Sequence, residues 1–284
     1  MIRIRPGAHI DNVLRSLEET LTSLQNVQGN HAEPTDALRA YRSWASSQAR
    51  VLGSQLSAGE VDRLVTTKRY WVIETLVPQD SRNLRDLLDT EISERLSDLK
   101  DAIEELRRDK ERWTDGDGVV TVVLDTNILE DHLDELASAN WHSIASCPPT
   151  NTIVLAVPMA VVDELDGHKR NTTKPAEGES PLRTRARLAL KFLEGRIQSP
   201  GDWVPLNPLS TDHETAPGAV LITIAPEEIG HVPIAHADSE IVDRALALKP
   251  WAKALLVLSN DTGMRLRARA AGIEGRRFRE ESLD

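Results

Sequence analysis

The chain has 284 residues, 40% apolar and 28% charged, a composition that excludes a disordered or fibrous protein and leaves room for two ordinary domains. Its 34 Lys and Arg stand against 45 Asp and Glu, a formal charge of −11, which argues against a protein that coats nucleic acid through an overall basic surface. One cysteine, Cys147, excludes an internal disulfide, and no apolar run approaches the roughly 18 residues that span a bilayer.

Residues 8 to about 113 read as helical. Ile10, Val13, Leu14, Leu17, Leu21 and Leu24 recur at helical spacing, and Pro34 suits the first turn of a second helix carrying Leu38, Tyr41, Trp44, Val51 and Leu52. Ser57 followed by Glu60 has the form of a capping box and opens a helix through Leu64, Val65, Trp71 and Leu76, which Pro78 ends. A long, charge-rich helix is expected from about Ser81 to Trp113. Within it Ile92, Leu96, Leu99, Ile103 and Leu106 are spaced 4, 3, 4, 3, a short heptad seam that suits one helix of a bundle or self-association. The polar, glycine-bearing stretch Thr114–Gly118 marks a domain boundary: residues 1–118 form a helical domain for a bundle, oligomerisation or partner binding, and 119–284 a second domain.

Beyond the boundary the pattern alternates between strand and helix. Strands are expected over Val119–Leu124, Thr152–Val157, Val220–Ile224 and Ala254–Ser259. Helices are expected over Leu129–Trp141, Pro158–Lys169, Arg183–Ile197, Ala237–Leu248 and Thr262–Ala271, with a mobile loop over residues 171–181. Such alternation predicts an α/β fold with a mostly parallel sheet flanked by helices, preceded by the all-α domain. Cys147, just before Pro148 and Pro149, reads as a bystander in a loop.

Four short acidic segments lie in this second half: Leu124-Asp125-Thr126-Asn127, Val162-Asp163-Glu164-Leu165-Asp166, Ala237-Asp238-Ser239-Glu240 and Ser259-Asn260-Asp261. The first and last put a carboxylate just after an aliphatic run, at the strand edge where open parallel sheets bind ligands. Two carboxylates ~4 Å apart repel by about 4 kcal/mol at an effective dielectric near 20, so a shared pocket calls for protons or a cation. All-oxygen sets suit magnesium or manganese.

These four motifs, in this order and on these elements, resemble the PIN domain, a metal-dependent ribonuclease fold. The resemblance covers about residues 119–280 and leaves the helical region unrecognised. It implies that Asp125, Glu164, Asp238 and Asp261 hold one or two Mg²⁺ or Mn²⁺ ions as catalytic ligands, with Glu240 as an auxiliary ligand or rival of Asp238. It also implies an endoribonuclease that hydrolyses RNA by metal-activated water, leaving 5′-phosphate and 3′-hydroxyl ends, and needs no protein nucleophile.

Projection at about 100° per residue places Glu164 and Asp166 on either flank of the apolar arc of Val161, Leu165 and Val162, and the resemblance selects Glu164. Taken singly, Asp125 and Asp261 read equally as caps of the turn or helix that follows. Thr126 and Ser259 are placed to hydrogen-bond the ligands, Asn127 to fix the turn, and Asn260 stands beside Asp261. His168 and His236 read as surface or packing residues.

Two basic sets face the question of substrate. One holds His168, Lys169, Arg170, Arg183, Arg185, Arg187 and Lys191; the other holds Arg265, Arg267, Arg269, Arg276, Arg277 and Arg279. From these, Lys169, Arg170, Arg183, Arg187, Arg265 and Arg269 are the candidates for contact with the phosphate backbone. The scattered tryptophans offer no base-stacking platform.

Asn127 stands where a haloacid-dehalogenase phosphatase needs a second aspartate, and no phosphate-binding Gly-x-x-x-x-Gly-Lys loop exists. The alternatives are a PIN scaffold that binds RNA or a protein without cutting, and a toxin nuclease held by an antitoxin. The expected partners are RNA, or DNA, a further copy through the N-terminal helices, and an inhibitory protein; no membrane is expected. Met1–Pro6 lacks the apolar stretch of a signal peptide, and a cytoplasmic protein is expected.

Overall fold

A computed structural model of the chain describes residues 2–29, 33–76, 81–114, 119–170, 180–207, 218–227 and 230–279. Two compact units emerge, Met1–Arg112 with Glu228–Gly230, and Trp113–Glu227 with His231–Asp284. Past Thr114, the segment that the sequence marks as a boundary lies outside the described residues, as does most of the expected loop at 171–181. No helix among the described residues is long and apolar enough to cross a membrane.

The first unit is helical: α1 (Ile10–Gly29), α2 (Pro34–Gly53), α3 (Ala58–Leu64), α4 (Lys68–Thr75) and α5 (Ser81–Thr114). Ser57 caps α3 by accepting from the Glu60 amide at 3.3 Å. The Glu60 carboxylate, however, turns to Arg63 (2.8 Å) and the Arg3 amide (3.4 Å), so the reciprocal half of the capping box is not made. The single helix expected through Leu76 is two. Thr67 accepts from the Tyr70 amide at 3.1 Å and starts α4 afresh.

All five heptad residues, Ile92, Leu96, Leu99, Ile103 and Leu106, are buried within this one chain. Arg107 to Glu18 (2.5 Å) and Lys110 to Asp11 (2.5 Å) tie α5 to α1. The core of the unit also contains a charge. Glu91, fully buried, accepts from the Tyr41 hydroxyl (3.0 Å), the Thr67 hydroxyl (2.9 Å) and Arg69 (3.2 Å), with Arg95 at 3.6 Å. Burial and the neighbouring Glu91 charge push the Tyr41 hydroxyl well above its ordinary pKa, so it stays a donor.

Among the described residues, the second unit contains a six-stranded sheet in the order β3-β4-β2-β1-β5-β6. These are β1 (Val120–Leu124), β2 (Ile153–Val157), β3 (Val204–Pro205), β4 (Val220–Ile224), β5 (Ala254–Leu258) and β6 (Glu274–Arg276). All pairings are parallel except β3 with β4. β1 and β2 are buried at every position, as strands covered on both faces must be, which explains their unbroken aliphatic runs. The described residues of the unit also form helices α6 (Thr126–Asp131), α7 (Trp141–Ala145), α8 (Met159–His168), α9 (Leu182–Glu194), α10 (Ala237–Leu248) and α11 (Thr262–Ala270). β1 pairs with β2 on one side and β5 on the other, so the chain switches direction there and opens a crevice at the carboxyl ends of β1 and β5.

The helix expected over Leu129–Trp141 is replaced by α6, a 3₁₀ turn at Leu133–Glu135 and α7. Asp125 starts α6 three residues earlier by accepting from the Thr126 amide, and Asn140 caps α7 by accepting from the Ser143 amide at 3.1 Å. β6 has no apolar alternation; it forms because Ile273 is buried behind it and Gly275 lets α11 approach. A Cβ at Gly275 would sit 2.8 Å from the Arg265 carbonyl oxygen and 2.9 Å from its Cα, both backbone atoms. Gly275→Ala is expected to destabilise the unit by roughly 1–3 kcal/mol, the usual cost of overpacking, read as a lower urea midpoint at unchanged slope.

Candidate metal centre

Asp125 leaves the end of β1, where its amide still bonds the Leu258 carbonyl of β5 at 3.1 Å. The side chain is therefore held by sheet register rather than by a loop. Its Oδ1 accepts from the Thr126 amide (2.8 Å), and Oδ2 accepts from the Ser259 hydroxyl (2.5 Å) and Asn127 Nδ2 (2.6 Å). Asp125 is only 6% exposed. Burial, then the negative charges of Glu164 and Asp238, raise its pKa above the ordinary 3.8, against the lowering effect of the Ser259 and Thr126 hydrogen bonds.

The structure thus brings Asp125, Glu164 and Asp238 into one electrostatic neighbourhood. Glu164, one turn into α8, is half-buried and its Oε2 accepts from the Thr126 hydroxyl at 2.6 Å. Thr126 therefore holds one carboxylate by its amide and another by its hydroxyl. Asp238 stands in the first turn of α10, 30% exposed, with Arg267 at 3.3 Å. Asp261 takes a different role. It is exposed at the start of α11, where Oδ1 accepts from the Gly263 amide at 2.7 Å, while its own amide donates to the Ser259 hydroxyl at 2.9 Å. The capping alternative is made at Asp261 and, through Thr126, at Asp125 as well.

Glu240 points elsewhere. It is 2% exposed, accepts from the Ile234 amide (2.7 Å) and contacts His231 Nε2 (2.6 Å) and Arg244 Nε (3.0 Å). With Glu227 and His231 it forms a group whose ligand atoms lie within 4.8 Å of one another, a set able to hold a divalent cation. Glu164, Glu227 and Glu240 line one cleft of about 420 Å³. Glu227 and His231 are not legible from the sequence because both lie between β4 and α10, where no periodicity points at them. An imidazole in the set favours a softer first-row ion, whereas the Asp125, Glu164 and Asp238 oxygens match a hard cation such as Mg²⁺ or Mn²⁺.

Behind the carboxylates runs a chain of neutral amides. Asn127 Nδ2 also reaches the Ser259 hydroxyl (3.2 Å), and Asn127 Oδ1 accepts from the Asn260 amide (3.0 Å). Asn260 Nδ2 can only donate, so it gives its hydrogen to His132 Nε2 at 2.8 Å, and His132 Nδ1 faces Glu135 at 3.3 Å. The His132 ring stacks on Phe278 at 4.5 Å. Sequence pattern gives no hint of His132 and Glu135, since it extends their helix without a turn.

Of the two other histidines singled out, His168 pairs with Glu130 at 2.9 Å and His236 is exposed ahead of α10. Among the basic candidates, Lys169 and Arg170 both pair with Asp166, whose carboxyl they hold below the usual range. Arg183 and Arg187 lie on α9, Arg183 exposed. Arg265 is buried, donating to the Ser259 carbonyl (2.9 Å) and the Thr262 hydroxyl (2.9 Å), and exposed Arg269 donates to the Gly275 carbonyl at 3.2 Å.

The donor set fits a cation: a buried carboxylate, held by neutral donors, with two further carboxylates raising its pKa. Among the described residues no cationic side chain is hydrogen-bonded to or ion-paired with Asp125. A mostly parallel sheet thus carries this acidic group at its switch point, in an α/β domain that also holds a Glu227, His231 and Glu240 group able to take a divalent cation. The family model for the PIN domain matches residues 122–279, more than half of the chain, and the protein belongs to that family. No curated protein matches the chain in sequence.

A raised folded-state pKa means that the folded chain holds the Asp125 proton more tightly than the unfolded chain does. Its contribution to stability is therefore present at low pH and is lost as pH rises from the ordinary value through the folded one. In chelator, the stability of the wild type relative to Asp125→Asn is expected to fall as pH rises above the ordinary carboxylate value of 3.8, and added Mn²⁺ to restore it for the wild type alone. Thermal melts across that rise in pH check this; a flat difference would contradict it.

Proposed function

We propose that the protein is a metal-dependent nuclease, an endoribonuclease that hydrolyses RNA phosphodiester bonds and leaves 5′-phosphate and 3′-hydroxyl ends. The observation that carries this reading is the buried, cation-free Asp125 carboxylate beside Glu164 and Asp238 in a PIN domain. Asp125, Glu164 and Asp238 would hold Mg²⁺ or Mn²⁺, with Asp261 at the rim. When bound, such an ion supplies a Lewis acid for the phosphate and lowers the pKa of a water.

The chain's own residues do the positioning. Ser259 and Asn127 fix Oδ2 of Asp125, the Thr126 amide fixes Oδ1, and the Thr126 hydroxyl fixes Glu164. Each ligand then keeps its orientation through turnover, and the neutral donors leave the negative charge in place for the ion. The choice of RNA, the end groups and endonucleolytic cutting rest on the family resemblance. The helical unit is proposed to engage the substrate or a partner.

End-labelled single-stranded RNA and DNA, incubated with wild type, Asp125→Asn or Asn127→Ala in Mn²⁺, Mg²⁺ or EDTA, test the reading. Asp125→Asn is expected to lower cleavage more than about 100-fold and Asn127→Ala by roughly 10- to 100-fold, as for removal of a ligand and of its supporting partner. Persistent absence of cleavage together with absence of metal binding by calorimetry would favour a PIN scaffold that binds without cutting.

A further inference from the structure

Asp125, Glu164 and Asp238 act on one another electrostatically, and such a group repels itself unless protons, a bound ion or a cation of the chain intervene. Helix α11 brings three arginines to this end of the domain. Arg265 and Arg269 lie four residues apart on one face and donate to the Ser259 and Gly275 carbonyls. Arg267, between them in sequence, lies on another face and meets α10: its Nε stands 3.3 Å from Oδ2 of Asp238. Among the described residues it is the one cation ion-paired with any of the four candidate ligands, Asp125, Glu164, Asp238 and Asp261.

The pair has the features of a contact that yields. Arg267 is 49% and Asp238 30% exposed, so the long arginine stem has solvent to swing into. Their separation of 3.3 Å exceeds the roughly 2.7–2.9 Å of a strong charge-assisted bond. Two residues further along α10, Glu240 shows the opposite arrangement, buried and held by the Ile234 amide, His231 and buried Arg244. Burial, then the charges of Glu164 and Asp238, hold the Asp125 pKa up, so Asp238 acts on the centre while Arg267 acts on Asp238.

We propose that Arg267 is the resident counter-ion of the acidic centre, holding Asp238 in the metal-free protein and competing with a divalent cation for that carboxylate. The inference rests on the ligand role given to Asp238 above. A guanidinium stays charged at any working pH, so the competition is one of position and not of protonation. Arg267 relieves the repulsion among the carboxylates and, by the same contact, sets a threshold for metal uptake.

The test reads metal affinity rather than cleavage. Mn²⁺ is titrated by calorimetry into the full chain at low and high salt, for wild type, Arg267→Ala, Arg267→Lys, Arg269→Ala and Asp125→Asn. Uptake that Asp125→Asn removes belongs to the acidic centre, which separates it from uptake by Glu227, His231 and Glu240. At low salt Arg267→Ala is expected to bind Mn²⁺ there about two- to fivefold more tightly, the worth of an exposed ion pair that no longer has to be broken. The gain is expected to shrink at high salt, where the pair is already screened. Arg267→Lys keeps the charge and is expected to fall nearer wild type. Arg269→Ala removes the same charge from a different face of α11 and is expected to give a clearly smaller gain.

A merely structural pair gives the opposite sign, because an unheld Asp238 is a poorer ligand and uptake weakens. Affinity in Arg267→Ala equal to or weaker than wild type, or an equal gain in Arg269→Ala, overturns the proposal. If thermal melts show Arg267→Ala to be unfolded, Arg267→Gln, which keeps the stem without the charge, takes its place. Tightened uptake in a protein that cuts neither RNA nor DNA sinks the nuclease reading alone. Metal-dependent cleavage with unaltered Mn²⁺ affinity in Arg267→Ala sinks the counter-ion alone, and no uptake at the acidic centre by any variant sinks both.

Discussion

One short hydrogen bond, from the Ser259 hydroxyl to the Asp125 carboxylate, connects the features on which this PIN domain turns. It joins the ends of two adjacent parallel strands, β1 and β5, at the point where the order of the sheet reverses. Strand register brings the two residues level, and buried aliphatic runs on both strands leave that register little room to slip. From Ser259 the same residue reaches the amide of Asp261 and the side chains of Asn127 and Arg265. A single serine thus bonds the Asp125 carboxylate, the Asp261 amide and the Arg265 guanidinium.

The electrostatics of the domain follow a division between neutral and charged partners. Asp125 is surrounded by hydroxyl and amide donors, and Arg265 by carbonyl and hydroxyl acceptors. Neutral partners satisfy hydrogen bonding while preserving net charge, so both regions keep a field that reaches beyond their own contacts. Elsewhere, as at Asp166 with Lys169 and Arg170, opposite charges close on each other and the field is spent locally. The overall charge of the chain therefore says little about where a polyanion could lie.

Much of the domain was legible in the sequence because parallel strands buried on both faces are written as unbroken aliphatic runs. β1, β2, β4 and β5 could be placed almost to the residue, and the carboxylates that follow them fell at the sheet edge for the same reason. What escaped was decided by contacts remote in sequence. β3 and β6 are two and three residues long and exist through pairing with β4 and β5. The break after α6 depends on His132, whose ring is held between Asn260 and Phe278, more than a hundred residues away. Glu227 and His231 belong to a loop segment, and no spacing rule could have grouped them with Glu240. Periodicity did not separate Glu164 from Asp166, and their surroundings differ through contacts remote from the pattern: Glu164 accepts from the Thr126 hydroxyl, whereas Asp166 is taken by Lys169 and Arg170 and Asp163 is exposed.

The buried Glu91 of the helical unit has a consequence of its own. An apolar seam tolerates sliding, since one leucine can replace another in the same hole. Glu91 cannot slide: a shift of α5 by one turn, about 5.4 Å, would carry the carboxylate away from Tyr41, Thr67 and Arg69 and leave an anion dry. The helices α2, α4 and α5 are thereby keyed to one longitudinal setting, in the way that a single notch fixes the depth of a bolt that would otherwise move freely in its bore.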